Sequence, residues 1–174
     1  IRKSMNYAMK IMGKQFVMGE TITAATERAA EKEQKGYVYS YDMLGEGART
    51  MADADRYLKA YQDAIEVIGK VAVASGKNDP RKVPGISVKL SAIHPRYEFT
   101  HKARVMAEIV PKLKALCLQA KSYNIGLTVD AEESERLDIS LDIIEAVFSD
   151  NELGNWDGFG IALQAYQKRA IFVV

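Results

Sequence analysis

The sequence predicts an α/β chain that forms the first half of a (β/α)₈ barrel, preceded by helices. Two helical segments come first, and strand and helix patterns then alternate through the rest of the chain. Apolar strands that alternate with helices pair in parallel, with the helices covering the sheet. The four strands start near residues 37, 86, 125 and 158. This spacing is long for a compact flavodoxin-like domain and suits a (β/α)₈ barrel.

Residues 1–36 form the predicted helical lead-in, and residues 37–174 the predicted half barrel. "RKSMNYAMKIMGKQF" places Met5, Ala8, Met9 and Met12 on one helical face, which predicts a core-facing stripe. "ITAATERAAEKEQ" is a second helix, rich in strong helix formers, and Gly36 ends it.

Four segments of the second part have strand composition. They are "YVYSYDML" (37–44), "ISVKLSA" (86–92), "IGLTVDA" (125–131) and "GFGIALQAY" (158–166). Helical patterns lie between them. The first helix places Leu58, Tyr61, Ile65 and Ile68 at helical spacing and opens on Thr50-x-x-Asp53, which resembles a capping box. The second must accommodate Pro111. "QKRAIFVV" begins a further element.

Composition excludes several classes of protein. The 24 Lys and Arg residues nearly balance the 23 Asp and Glu residues, so nucleic acid is not an implied partner. No apolar run approaches a membrane span, and no signal peptide opens the sequence. The single cysteine, Cys117, lies among apolar residues at helical spacing, which indicates a core position in a reducing compartment. Because the chain starts at Ile1 and ends without a cap or polar tail, we expect it to be part of a longer protein.

Polar side chains follow each of the four predicted strands at its carboxyl end. They are Asp42 and Glu46, Lys89 and Ser91, Asp130 with Glu132 and Glu133, and Gln164 with Tyr166 and Gln167. In parallel α/β folds these strand ends share one rim, where ligands bind. A lysine between Val88 and Leu90 is unusual in a buried strand, because its charge needs an anionic partner or its pKa must be lowered. We therefore predict that Lys89 has a functional role and not only a structural one.

Structural interpretations compete for the other rim residues. Asp42 and Glu46 flank a glycine in a turn, and Asp130 is the obvious salt-bridge partner of Lys89. Solvation at a helix start accounts for the acidic residues after Asp130, which are Glu132, Glu133 and Glu135. Neither histidine has a second ligand at metal-binding spacing, so we expect no metal site.

Several functional classes fit this rim. A strand-end lysine permits Schiff-base chemistry of the aldolase type, and clustered carboxylates permit a Mg²⁺ site. A receiver-like signalling module also combines acids with a lysine, although the strand spacing disfavours it. In a cofactor enzyme, Lys89 would hold a substrate carboxylate, while Asp130 and Gln164 would hold the polar edge of a heterocycle. The sequence contains no Gly-rich phosphate loop.

Four sequence motifs distinguish between these functional classes, because they resemble the motifs of one known family. They are "YSYDMLGE" (39–46), "GISVKLSAIHPRYE" (85–98), "VDAEESERLDISLDIIE" (129–145) and "GFGIALQAYQKR" (158–169). In order and spacing they resemble the proline dehydrogenase domain, most closely that of the bifunctional bacterial proline utilization A enzymes. The resemblance implies a (β/α)₈ barrel that binds FAD and oxidises L-proline to Δ¹-pyrroline-5-carboxylate, with hydride transfer to flavin N5 and reoxidation by a membrane quinone.

The resemblance also implies a role for each site residue. Lys89 would pair with the proline carboxylate, Asp130 and Ala131 would lie against the isoalloxazine, and Gln164 would hydrogen-bond its polar edge. Glu46 would belong to the gate over the substrate, and Asp42 would lie near the same pocket.

The same resemblance implies what the whole protein adds. The later strands of such a barrel supply further flavin and substrate contacts, so we expect residues 1–174 alone neither to retain FAD nor to oxidise proline. It also implies an aldehyde dehydrogenase activity and homo-oligomers. The implied location is the cytoplasm, on the inner face of the bacterial membrane.

Overall fold

A computed structural model describes residues 5, 9, 11–13 and 16–174, which divide into two compact units, residues 1–39 and 40–174. In the first unit, helix α1 spans Ile22–Glu33. Thr21 caps it by accepting a hydrogen bond from the Ala24 N–H at 3.2 Å. Met5, Met9 and Met12 are 60–67% exposed, so the predicted core-facing stripe is wrong for them. Ala8, on the same predicted face, lies outside the described residues.

The second unit contains a four-stranded parallel sheet in the order β1-β2-β3-β4. The strands are β1 (Ser40–Asp42), β2 (Gly85–Val88), β3 (Leu127–Val129) and β4 (Phe159–Ile161). Strand order follows chain order, and a helix connects β1 to β2, β2 to β3, and β3 to β4. Consecutive parallel strands joined by helices are the repeating unit of a (β/α)₈ barrel. The predicted α/β class and parallel pairing are confirmed.

Three helices cover the sheet: α2 (Met51–Ala74), α3 (Lys102–Ser122) and α4 (Leu137–Phe148). Each buries one stripe, such as Ile65 and Ile68 of α2, and neighbouring helices pack against each other. The predicted capping box is confirmed, because Thr50 Oγ1 accepts from the Asp53 N–H while the Asp53 carboxylate accepts from the Thr50 N–H. Pro111 lies inside α3 without dividing it. No helix among the described residues has the length and apolarity to cross a membrane.

Every strand is shorter than its sequence pattern predicts, so four predicted site residues follow their strands and do not lie within them: Lys89, Asp130, Ala131 and Gln164. β2 ends at Val88, because the Lys89 N–H leaves the ladder to donate to the Tyr61 hydroxyl at 3.1 Å. The chain then enters a 3₁₀ turn, Leu90–Ala92. Pairing of β4 stops where β3 stops, with the Ala162 N–H donating to the Val129 carbonyl at 2.9 Å. Gln164 therefore lies beyond β4, and the prediction that it sits inside a strand is wrong.

Candidate functional site

Lys89, Asp42 and Asp130 form a charged cluster at the carboxyl ends of β1, β2 and β3. The Lys89 ammonium donates to Asp42 Oδ2 at 2.6 Å and to Asp130 Oδ2 at 2.9 Å. Each residue directly ends or follows its strand, and the parallel register brings three positions far apart in sequence to one level. The lysine side chain is 16% exposed and that of Asp42 is 35% exposed, so the cluster is partly shielded from solvent.

The environment of Lys89 keeps its side chain protonated. Burial lowers the pKa of the ammonium, but the hydrogen bonds and negative charges of Asp42 and Asp130 outweigh burial, so the pKa is raised above its usual value. A Schiff-base lysine needs the opposite shift, because only the neutral amine attacks a carbonyl. The geometry therefore disfavours the aldolase alternative and favours a lysine that binds an anion.

Tyr61 supports the cluster from α2, and the sequence pattern indicated only an apolar core position for it. Its hydroxyl accepts the Lys89 N–H, and its side chain is fully buried. Burial raises the pKa of the Tyr61 phenol to about 12, with the nearby carboxylates Asp42 and Asp130 adding to the increase. The phenol stays neutral and holds the backbone from which the Lys89 side chain projects.

Glu132 differs from the acidic residues that follow it. Its side chain is only 10% exposed, and Oε1 accepts from the Ser91 N–H at 3.0 Å while Oε2 pairs with Arg136 at 3.2 Å. The interpretation of Glu132 as a solvated helix-start acid is wrong, because a backbone N–H from the neighbouring β2 loop requires an acceptor there. Glu133 is 58% exposed and Glu135 is also exposed, as that interpretation expects.

A cleft opens between the ends of β3 and β4 and the start of α4, and it contains the three predicted cofactor-binding residues. Asp130, Ala131 and Gln164 line it together with apolar side chains that include Val129, Ile161 and Leu163. Gln164 Nε2 donates to the Glu132 carbonyl at 3.1 Å, and its Oε1 accepts from Gln167 Nε2 at 2.6 Å. Asp130 thus belongs to both the cleft and the charged cluster.

The two remaining predictions concern Glu46 and the histidines. Glu46 is exposed in the loop after β1, and its place in a gate over the substrate stays a prediction. His94 is buried and has a carboxylate partner that sequence spacing did not reveal, with His94 Nε2 lying 2.9 Å from Glu108 Oε2. Its Nδ1 accepts from the Arg96 N–H, so Nε2 carries the proton. The described residues contain no group of three or more potential ligands arranged for a metal.

Comparison with known proteins gives the family. The family model for proline dehydrogenase matches residues 25–174. The chain belongs to the proline dehydrogenase family. It is 52% identical over its full length to the bifunctional protein PutA of Escherichia coli (strain K12), and it covers 13% of that protein. Over 94% of the chain it is 24% identical to proline dehydrogenase 1 of Bacillus subtilis (strain 168), of which it covers 47%.

Solved structures agree with the family assignment. A mutant of proline utilization A from Bradyrhizobium japonicum is 54% identical, with a TM-score of 0.82 over 99% of this chain and 17% of that one. Proline utilization A of Bdellovibrio bacteriovorus, inactivated by N-propargylglycine, shares the fold at a TM-score of 0.89 and 17% identity, over 98% of this chain and 19% of that one. The chain therefore spans less than a fifth of these longer proteins.

The family implies a flavin cofactor, and the cleft has the chemistry that a flat heterocycle requires. Aliphatic side chains and the small Ala131 provide an apolar surface, and Asp130 and Gln164 provide polar groups. The Gln164 amide has two N–H donors and two lone pairs, and its bonds to Glu132 and Gln167 use one of each. The second donor and acceptor are suited to the edge of a ring.

Proposed function

We propose that the protein containing this chain oxidises L-proline to Δ¹-pyrroline-5-carboxylate with FAD as cofactor. The observation that carries this proposal is the Asp42–Lys89–Asp130 cluster beside the cleft lined by Asp130, Ala131 and Gln164. The cluster suits the charged ends of an amino acid, and the adjoining cleft suits a flavin ring. The shared residue, Asp130, links the two sites.

The charges of the cluster match those of an amino-acid zwitterion. An ammonium has three N–H donors, and Asp42 and Asp130 accept two of them, which leaves the third for the substrate carboxylate. Two carboxylates around one ammonium also give the cluster a net negative charge, which attracts the substrate's cationic amine. Lys89 would thus bind the proline carboxylate, and Asp42 and Asp130 would favour its nitrogen end.

The residues at the cleft would orient substrate and flavin relative to each other. Asp130 and Ala131 would contact the isoalloxazine, and Gln164 would hydrogen-bond its edge. FAD, when bound, would supply the oxidant that the oxidation of proline requires. Glu46 would cover the substrate from the loop after β1. The residues of this chain bind, align and shield the reactants.

The electron acceptor, location and assembly of the whole protein are further parts of the proposal. By analogy with the family, a membrane quinone would reoxidise the flavin, and the protein would then be cytoplasmic and work at the inner face of the membrane. The similarity to bifunctional PutA proteins favours an accompanying aldehyde dehydrogenase activity, and homo-oligomers are expected.

The test is to express the complete reading frame that encodes this chain. We expect a flavin absorbance spectrum that L-proline bleaches under anaerobic conditions. Trapping of Lys89 by borohydride with an aldol donor, without bleaching by proline, would support the aldolase alternative instead. Residues 1–174 expressed alone should purify without flavin. A flavin spectrum from this polypeptide alone would contradict that expectation.

A further inference from the structure

Ser91 connects three loops at the carboxyl edge of the sheet. It lies in the 3₁₀ turn two residues after Lys89 and is 4% exposed. Its Oγ accepts from the Gly47 N–H at 3.1 Å, and its carbonyl accepts from the Ala48 N–H at 2.9 Å. Its own N–H donates to Glu132 at 3.0 Å. The loops after β1, β2 and β3 therefore meet at one buried serine.

The loop after β1 is held on both sides of Glu46. On one side, Gly45 lies so close to the Tyr57 ring that an added Cβ would sit 2.4 Å from a ring carbon. On the other side, Gly47 has φ +60°, a conformation that favours glycine, and its N–H is held by Ser91. Ala48, the next residue, is buried. Glu46 is thus an exposed side chain on a fixed piece of backbone.

We infer that Ser91 is a positioning residue that sets the place of Glu46 relative to Lys89. The inference rests on the proposed function, because it concerns the acid that would cover the substrate and the cation that would bind it. The 3₁₀ turn carries Lys89 at its start and Ser91 within it, so one short segment orients both groups. Two hydrogen bonds join this turn to the loop after β1, and both use Ser91. The bond to Ala48 uses the Ser91 backbone carbonyl, and the bond to Gly47 uses the Ser91 side-chain hydroxyl.

This role differs from a general contribution to folding. The Ala48 hydrogen bond uses the Ser91 carbonyl, and the Glu132 hydrogen bond uses its N–H, so both persist in Ser91→Ala. The substitution removes only the acceptor for the Gly47 N–H, in the residue next to Glu46. The substitution should therefore change only the loop after β1, which carries Glu46, and the change should appear as weaker substrate binding.

The test compares Ser91→Ala with Ser91→Thr in the complete, flavin-loaded protein. A single hydrogen bond of this kind changes a binding constant by about 2- to 10-fold. We expect KM for proline to rise by about that factor in Ser91→Ala, with kcat within about twofold of wild type. Ser91→Thr, which keeps the hydroxyl, should restore KM. Ser122→Ala removes a local hydrogen bond at the end of α3 and is the matched control.

Amide hydrogen exchange gives a readout that is independent of catalysis. In Ser91→Ala, the peptide that contains Gly47 should exchange faster, and peptides from α2 and α3 should not change. If Ser91→Ala does not yield folded protein, Ser91→Cys offers a weaker acceptor of similar size, and its KM should be intermediate. Unchanged KM together with unchanged exchange at Gly47 would refute the inference. A lower kcat and a lower melting temperature with unchanged KM would also refute it, because they would show a general loss of stability. If wild-type protein does not oxidise proline, the proposed function fails first, and the inference fails with it.

Discussion

Replacing Lys89 with Met in the complete protein tests the charged cluster directly. The ammonium lies 2.6 Å and 2.9 Å from two carboxylate oxygens and is largely shielded from water. Its third N–H is the one proposed for the proline carboxylate. A charge-assisted hydrogen bond contributes about 1.5–3 kcal/mol, so losing this one should raise KM for proline about 10- to 150-fold. The effect on kcat should be smaller, because Lys89 itself does not line the cleft proposed for the flavin.

The assay measures KM and kcat with an artificial electron acceptor, after flavin content has been normalised by absorbance. Lys70→Met is the control, since Lys70 makes an exposed ion pair with Glu66 on α2 and should leave both constants unchanged. A flavin-loaded Lys89→Met protein with wild-type KM would refute the assigned role. Loss of flavin with normal proline binding would show that the cluster serves the cofactor instead.

Three further predictions concern buried or paired groups in the complete protein. Tyr61→Phe leaves the Lys89 N–H without its acceptor and should lower the free energy of unfolding by about 1–3 kcal/mol in denaturant titrations. A Tyr61→Phe protein as stable as wild type would contradict this reason. The pairing of Glu108 with Arg104 and His94 lowers its pKa from the ordinary 4.5, so its contribution to stability is present above pH 4.5 and is lost as pH falls through the lowered value. Glu108→Gln should flatten this acid dependence in pH-dependent melts, and an unchanged profile would count against it. Burial raises the pKa of the Cys117 thiol to about 12, so iodoacetamide at pH 8 should modify it only after unfolding, and rapid alkylation of native protein would disprove its burial.

The strand and helix order was predictable because its signals are local. Apolar periodicity identified α2, and the Thr50 and Asp53 pair marked its start. Strand ends were less predictable, because they depend on hydrogen bonds with other segments. The N–H of Lys89 bonds to Tyr61, 28 residues away, and no pattern around residue 89 shows that the ladder stops there.

The acidic run after β3 shows the same limit at the candidate site. Glu132 and Glu133 are adjacent carboxylates with the same local context, yet the first side chain is 10% exposed and the second is 58% exposed. The difference comes from the Ser91 N–H, 41 residues earlier in the chain, which needs an acceptor at one of these positions and not at the other. Ser91 itself appeared in the sequence only as a polar residue at a strand end.

The sequence by itself determined the α/β class, the parallel alternation and the residue types at the strand ends, because periodicity and composition act over a few neighbouring positions. It also contained the motifs that resemble proline dehydrogenases. Only the tertiary structure decided which polar groups meet: Lys89 with Asp42 and Asp130, and Ser91 with Gly47 and Glu132. These contacts join residues 41 to 47 positions apart, and their partners are selected by strand register and by the hydrogen bonds that buried groups must make.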